Sequence, residues 1–548
     1  MAQWDESADF VVVGSGGGSM CAGLVLRDLG KSVLVLEKTD KVGGSTAMSG
    51  GVLWVPNHPL QAAAGVQDSY EQGLAYLEAT VGDVGPASSP QRRDAFLRHG
   101  PEMISYLLRK GLKIRRCEGW SDYYDEKPGG CARSRSLAME LFDARELGDW
   151  NARLRRGPFD IPIRWPESRQ SMLMKRTPEG FLGAMRLGLR MAGMRLTGKQ
   201  LVGMGAAIQG RMLQAALRAG VDIRLESPVR ELVEEDGRIV GVVTQVDGRE
   251  HRIQARDGVL INAGGFARNA EMRREYGPQP SSVDWTNANP GDTGEAIEMA
   301  MTHGAAVDLM DQAVWLVTSV TPKGFRAFHV LDLAKPHLIM VDQKGERFAN
   351  ESGSYMENGQ RMYARGAVPA WVIMESRHRE RYVWAGAMGG KTPEDWITSG
   401  YMKRADTIEG LATACGLDPQ TLRRTVDRFN EFAATGRDLD FKRGERAYDR
   451  VFADPTVKPN PCLGALEKGP FYAVQVYPGD VGTFGGLLTD EHARVLTEAG
   501  APIPGLYATG NSTASVVGRC YPGAGASIAA SFVFGYIAAH HAAGATLN

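Results

Sequence analysis

Between Asp9 and Glu37 the chain runs Asp-Phe-Val-Val-Val, then Gly14-Ser-Gly16-Gly17-Gly18-Ser19, a helical stretch from Met20 to Gly30, Ser32-Val-Leu-Val-Leu36 and Glu37. Apolar, β-branched runs of this length read as buried strands. The order strand, glycine turn, helix, strand, acid is that of a dinucleotide-binding unit. Each part has a physical task. Gly14 permits a tight turn. Gly16 lets backbone approach a pyrophosphate at the positive end of a helix. Glu37, 21 residues after Gly16, accepts hydrogen bonds from a ribose 2′-OH. Ser19 replaces the usual Gly or Ala at the third fingerprint position, a mild departure because Ser is small.

An acid at position 37 favours an unphosphorylated ribose, hence FAD or NAD over NADP. The stretch Gly43-Gly44-Ser45-Thr46-Ala47-Met48-Ser49-Gly50-Gly51 decides for FAD. It reads as a second small-residue loop, with hydroxyls for phosphate and ribityl oxygens. No second G-x-G-x-x-G follows, so no separate nicotinamide domain is expected, and electrons leave to an external acceptor, a quinone or similar. Further along, residues 205–225 read as a helix followed by a strand at Asp222. Val229–Val233 and Ile239–Thr244 flank an Asp236-Gly237 turn as a hairpin. Gly258-Val-Leu-Ile-Asn-Ala-Gly264 reads as a strand returning to the nucleotide sheet. Residues 83–93 read as an exposed connection.

Glycine, 67 of 548 residues, concentrates at the two ends of the chain. From about 313 to 482 the chain turns aromatic, Met-rich and charged, without a phosphate loop. Gly505-Leu-Tyr-Ala-Thr-Gly510 then reads as the last strand of the first sheet. The expected fold is α/β: a discontinuous Rossmann-like FAD-binding domain, 1–312 and 483–548, with an inserted α+β catalytic domain at 313–482. Non-covalent FAD is expected against Gly14, Gly16, Gly17, Gly18, Glu37, Lys38, Gly44, Ser45, Thr46, Ser49, Gly50, Gly51, Val229, Ala263, Gly264, Asn269, Gly510, Asn511, Ser527 and Ile528.

The charge balance, 63 Lys+Arg against 64 Asp+Glu, gives no global pull on nucleic acid. Six cysteines, none in C-x-x-C, make neither a dithiol pair nor a zinc ribbon, and no metal site is expected. The acidic N-terminus lacks the order of a secretory leader, so a cytoplasmic protein is expected. After Arg519 no Asp, Glu, Lys or Arg occurs. Pro522, Gly523, Gly525, Gly535, His540 and His541 argue against a membrane span there and for a buried helix aimed at the flavin.

Five motifs carry a resemblance: Val13-Gly-Ser-Gly-Gly-Gly18; Glu37-Lys-Thr with Gly43-Gly-Ser-Thr; Ser121-Asp-Tyr-Tyr124 with Pro128-Gly-Gly130; Glu346-Arg-Phe-Ala-Asn-Glu351 followed by Tyr355; and Tyr521-Pro-Gly-Ala-Gly525. Together they resemble the 3-ketosteroid Δ1-dehydrogenases, of the flavoprotein group that includes fumarate reductase. The resemblance implies removal of two hydrogens from C1 and C2 of a 3-ketosteroid A ring. Tyr355 would take the C2 proton, Tyr123 would support it, Tyr521 and the Gly525 N–H would hold the 3-keto oxygen, and flavin N5 would take the C1 hydride. Tyr124 stands beside Tyr123 as the alternative supporting residue. Tyr472 and Tyr477 are read as structural. The alternatives on this scaffold are a Δ4-(5α)-dehydrogenase and a fumarate reductase-type enzyme. The latter needs Arg and His clamps where these loops offer tyrosines. A flavin redox partner or steroid-binding protein is the non-enzyme alternative.

Residues 171–204 hold Lys175, Arg176, Arg186, Arg190, Arg195 and Lys199 against one acid, Glu179, with Phe181, Met185 and Leu189 repeating at i+4. This pattern predicts an amphipathic helix in peripheral contact with a membrane.

Overall fold

The computed structural model describes residues 3–157, 160–246 and 248–547. Met1, Ala2, Pro158, Phe159, Asp247 and Asn548, all in the expected FAD-binding segments, lie outside them. The strand Glu6–Val13 is flanked in parallel by Val33–Leu36 and Arg249–Ile261. Asp222–Arg224 and Pro502–Ala508 extend the sheet, also in parallel, and Arg494–Leu496 closes one edge antiparallel. Val33–Leu36 is buried throughout, as its unbroken apolar run requires for a strand covered on both faces.

The register levels the strand ends. Val13 lies opposite Leu36 and Ile261, Leu36 opposite Arg224, and Ile261 opposite Ala508. The residues that follow, Gly14, Glu37, Asn262 and Thr509, therefore share the carboxyl edge, where α/β sheets bind ligands. The hairpin Val229–Glu235 and Arg238–Val246 turns at Asp236 and Gly237, both with positive φ, the geometry an Asp-Gly pair favours. It pairs with the first half of Arg249–Ile261. That half is polar and only partly buried, so the apolar reading recognised this strand only from Gly258 onwards.

A second, antiparallel sheet takes all its strands from Ala313 to Thr483, in the order Arg326–Phe328, Ala313–Val320, Phe471–Thr483, Ala370–Met374 and Leu338–Val341. Met402–Ala405 also pairs with Phe471–Thr483.

The uncharged C-terminal segment folds as the helix Ala526–Ala542, packed against Gly17–Asp28. The glycines set how closely the two approach. A Cβ on Gly17 would lie 2.1 Å from the Phe532 ring, and one on Gly535 2.5 Å from the Gly18 carbonyl oxygen. No helix among the described residues is long and apolar enough to cross a membrane. Residues 83–93 are the expected exposed connection only in part: Asp83, Gly85, Pro86, Pro90 and Gln91 are exposed. Ser88, Arg92 and Arg93 are buried, because the guanidinium groups satisfy loop acceptors: Arg92 donates to the Ala514 carbonyl (3.0 Å) and Arg93 to the Ser88 hydroxyl (2.9 Å).

Candidate active site

At the carboxyl edge of the parallel sheet lies a cavity of about 600 Å3. Gly14, Gly16, Glu37, Lys38, Gly44, Ser45, Thr46, Ser49, Gly50, Val229, Ala263, Gly264, Gly510, Asn511, Ser527 and Ile528 line it, and so do Tyr123, Tyr355, Tyr521 and Gly525. Residues expected to hold a cofactor and residues expected to hold substrate thus share one space. Gly14 has φ +94°, and a Cβ there would lie 2.3 Å from the Asn262 carbonyl oxygen. Only glycine makes this turn, and it begins the cradle at the N-terminus of Gly17–Asp28. Glu37 is buried. Its carboxylate accepts from the Ser15 hydroxyl (2.6 Å) and from the Thr39 N–H (2.9 Å) and hydroxyl (2.8 Å). These bonds fix it at the strand end while it faces the cavity.

Four expected cofactor residues lie elsewhere. Gly17 and Gly18 face the helix Ala526–Ala542: a Cβ on Gly18 would lie 2.5 Å from the Ser531 carbonyl oxygen. Gly51, at φ +65°, lets the chain pass the Met204 backbone. Asn269 caps the helix Ala270–Tyr276, accepting from the Glu271 and Met272 N–H groups and donating to the Thr293 carbonyl. The expected loop at 43–51 contains a short helix, Gly44–Met48. Its hydroxyls have protein partners. Thr46 accepts from the Gly17 N–H (3.1 Å), Ser45 donates to Asp292 (2.9 Å), and Ser49 donates to the Thr46 carbonyl (2.6 Å). Lys38 Nζ donates to Thr293 and Glu295. Asp292 was not anticipated. Burial raises its carboxyl to about 7, with Ser45 and Lys38 opposing the rise. A Cβ on Gly264 would lie 2.3 Å from its Oδ1.

The tyrosines converge from four parts of the chain. Tyr123 lies 5.4 Å from Tyr355 and 5.9 Å from Tyr521 between ring centroids, and Tyr355 lies 5.4 Å from Tyr521. Tyr448, which no motif marked, packs behind Tyr123 at 4.1 Å. Tyr124 does not line the cavity, and Arg446 covers its ring at 5.2 Å, whereas Tyr123 lies in the cavity wall. Tyr472 and Tyr477 sit in the strand Phe471–Thr483, outside the cavity wall.

The loops are tied to one another. The Tyr123 N–H and the Tyr76 hydroxyl both donate to the Pro522 carbonyl (3.0 and 2.7 Å). Asp122 accepts from Trp54 Nε1 (2.7 Å), the Cys131 N–H (3.0 Å) and Arg135 (2.8 Å), and Arg135 also pairs with Asp68 (2.6 Å). The Ser121–Tyr124 and Pro128–Gly130 motifs therefore share one buried ionic clamp. Tyr355 is the first residue of the helix Tyr355–Arg365. The preceding Glu351 is fixed by Arg347 (2.8 Å) and Arg443 (3.0 Å).

Gly525 has φ +94°, and a Cβ there would lie 2.2 Å from the Val52 carbonyl oxygen. It caps Ala526–Ala542. Its N–H donates to no protein acceptor among the described residues. The Tyr521 hydroxyl lies 3.2 Å from that of Ser527. Burial pushes the Tyr355 phenol well above its usual range, the Tyr521 ring adds to the rise, and the Tyr123 hydroxyl acts in the opposite direction. The cluster thus offers two hydrogen-bond donors from one loop beside the partly buried Tyr355 phenol, an arrangement suited to a developing enolate oxygen.

Helix Pro178–Thr197 leaves its apolar stripe uncovered: Phe181 is 62%, Leu189 66% and Leu196 88% exposed. It packs on Trp165–Ser171 through Gly180 and Gly183. Of the six basic residues set against Glu179 in this segment, Arg190 pairs with Glu167 (2.6 Å), Arg176 with Asp454 (2.7 Å), and Lys175 donates to the Gly389 carbonyl (2.6 Å). Arg186, Arg195 and Lys199 form no ion pair among the described residues.

The family described as FAD binding domain matches residues 9–528. A 3-oxosteroid 1-dehydrogenase of Mycolicibacterium smegmatis is 40% identical over 97% of both chains. A 4-oxocyclohex-2-ene-1-carboxylate 5-dehydrogenase of Sinomonas cyclohexanicum is 34% identical over 97% of this chain and 92% of its own. The crystal structure of the 3-ketosteroid Δ1-dehydrogenase of Sterolibacterium denitrificans in complex with 1,4-androstadiene-3,17-dione superposes with a TM-score of 0.93, at 36% identity, covering 98% of this chain and 100% of that one.

Proposed function

The chain belongs to the FAD binding domain family and, within it, to the 3-oxosteroid 1-dehydrogenases, and from that membership we propose how its residues carry out the FAD-dependent 1,2-dehydrogenation of 3-ketosteroids. Residues 1–312 and 483–548 form a discontinuous Rossmann-like FAD-binding domain, and 313–482 form the inserted catalytic domain. The division of strands between the two sheets supports this reading. The glycine turns, Glu37 and the Gly44–Gly50 segment bind the cofactor without a covalent bond.

FAD, when bound, supplies the acceptor for the hydride leaving C1. The remaining chemistry belongs to the tyrosines. The Tyr521 hydroxyl and the Gly525 N–H receive the 3-keto oxygen, which makes the C2 proton acidic by stabilising the enolate that forms as it leaves. Tyr355 takes that proton. Burial works against a phenol in this role, and the Tyr123 hydroxyl offsets part of that cost by a hydrogen bond to the phenolate. Tyr448 positions Tyr123. The apolar remainder of the cavity takes the steroid rings and excludes water. An external quinone-like acceptor reoxidises the enzyme. We assign the bare face of Pro178–Thr197, with Arg186, Arg195 and Lys199, to peripheral contact with an anionic lipid surface on the cytoplasmic side. Its neighbour Trp165–Ser171 lends Ser168 and Ser171 to the cavity wall, so a substrate arriving through lipid enters close to that contact.

The observation that carries this reading is the convergence of Tyr123, Tyr355 and Tyr521 within 6 Å of one another beside Gly525, in the cavity lined by the FAD residues. Anaerobic 3-ketosteroid is expected to bleach the flavin of the wild-type enzyme. Tyr355→Phe is expected to retain yellow flavin and to bleach on the order of 10^2-fold more slowly or worse, the usual share of a proton acceptor. Bleaching at the wild-type rate would remove Tyr355 from the role.

A further inference from the structure

Among the cavity-lining residues Phe325, Phe328, Leu331, Val383 and Ala385 stands one acid, Asp332. It is 6% exposed. Its Oδ2 accepts from His329 Nδ1 (2.9 Å) and from the Ala385 N–H (3.2 Å). His329 Nε2 lies 2.7 Å from the Ser319 hydroxyl, which lies 2.7 Å from the Tyr401 hydroxyl. One polarity satisfies the chain: Tyr401 donates to Ser319, Ser319 to Nε2, and Nδ1 to Asp332.

The order acid, imidazole, hydroxyl imitates a hydrolytic triad, but its nucleophile end is closed. Ser319 is fully buried, outside the cavity wall, and its hydroxyl is engaged on both sides. The open end is the acid. Oδ1 has no hydrogen-bond partner among the described residues, and Asp332 faces the cavity. The buried cations Arg379 and Lys335 lie close enough for their charges to act on Asp332.

We propose that Asp332 Oδ1 is a recognition group for the end of the steroid remote from ring A, where it accepts a hydrogen bond from a hydroxyl. The enzyme then favours 3-ketosteroids with an alcohol at carbon 17 over the corresponding 17-ketones, and disfavours those bearing a carboxylate at that end. The inference rests on the proposed holding of ring A by Tyr521 and Gly525, which leaves the apolar wall to the other rings. A carboxylate facing a ketone meets acceptor with acceptor and stays unpaired, a larger penalty than a missing contact. A carboxylated substrate adds like-charge repulsion.

The test is kcat/KM for a 17β-hydroxy and 17-keto pair, with an artificial acceptor, in wild type and Asp332→Asn. The expected wild-type ratio is about ten-fold or more in favour of the alcohol. Asn both donates and accepts, so the variant should bring the ratio near one, chiefly by raising turnover of the ketone. A wild-type ratio near one, or a variant that slows both steroids alike with the ratio kept, would overturn the proposal and leave Asp332 a structural anchor. Should the variant fail to fold, the same ratio is read from wild type alone, as dissociation constants of the two corresponding 1,4-dien-3-one products from the shift in flavin absorbance. If neither steroid is oxidised, the proposed function fails along with this inference; if both are oxidised alike, only the inference falls.

Discussion

The Tyr355 phenol is held well above its usual range, chiefly by desolvation, so in the proposed mechanism the burden of making C2–H acidic falls on the oxygen-binding pair. Tyr521→Phe removes one donor from that pair while keeping the ring that packs against Phe484 at 5.8 Å. Loss of one such donor typically costs about 10^2–10^3 in rate. The expected outcome is a fall of that order in kcat with KM changed far less, read in steady-state turnover; a change confined to KM would reassign Tyr521 to binding alone. At this scale the sequence was legible wherever a residue stood in a short motif: Tyr123, Tyr355, Tyr521 and Gly525 all line one cavity. Tyr448 was not legible. It lies in Arg-Ala-Tyr-Asp, without glycine or a local pattern, and only tertiary packing brings it to 4.1 Å from Tyr123. Gly17 and Gly18 show the opposite ambiguity. A glycine needed for close helix packing and one needed for a ligand look alike in sequence.

Glu351 lies four residues before the helix Tyr355–Arg365, pinned by Arg347 and Arg443. Burial alone would raise the Glu351 carboxyl, but Arg347 and Arg443 override it and hold it down, at about 2. A depressed carboxyl contributes stability that is full above its unfolded value near 4.5 and is lost as pH falls through about 2. The contribution is on the order of 3 kcal/mol. Glu351→Gln should therefore unfold at lower temperature than wild type at neutral pH, and the gap in Tm should close as pH falls from about 4.5 towards 2; a gap independent of pH would mean that the arginines do not need the charge. Elements with one clear period were read correctly, the strand Val33–Leu36 and the hairpin among them. The short helix Gly44–Met48 was missed because Gly-Ser-Thr-Ala-Met is too short and too small in side chain to carry a helical period. Arg92 and Arg93 were taken for surface because charge in sequence does not reveal that backbone carbonyls wait for it inside.

For the whole molecule, the lipid contact proposed for the unburied stripe on Pro178–Thr197 is open to a direct test. Three cations remain for a lipid surface, each contributing about 1 kcal/mol, and the exposed Phe181, Leu189 and Leu196 add apolar contact. The enzyme is expected to sediment with anionic vesicles at low salt and to be released at high salt. Making Phe181, Met185 and Leu189 polar should leave it in the supernatant with unchanged turnover of dissolved steroid. Equal partitioning of both forms into the supernatant at low salt would assign the stripe to protein packing. The meeting of early and late segments in one parallel sheet also has a temporal meaning. Pro502–Ala508 and Ala526–Ala542 complete the cradle that Glu6–Val13 and Gly17–Asp28 begin. At ribosomal speeds of about 5–20 residues per second, the glycine turn waits roughly 25–100 s for its last neighbours. Through that interval Phe10, Val12 and the faces of Gly17 and Gly18 lack their cover. Acquisition of the yellow colour is therefore among the last events of biogenesis, and a nascent chain stalled before residue 500 carries the fingerprint without the power to keep its cofactor.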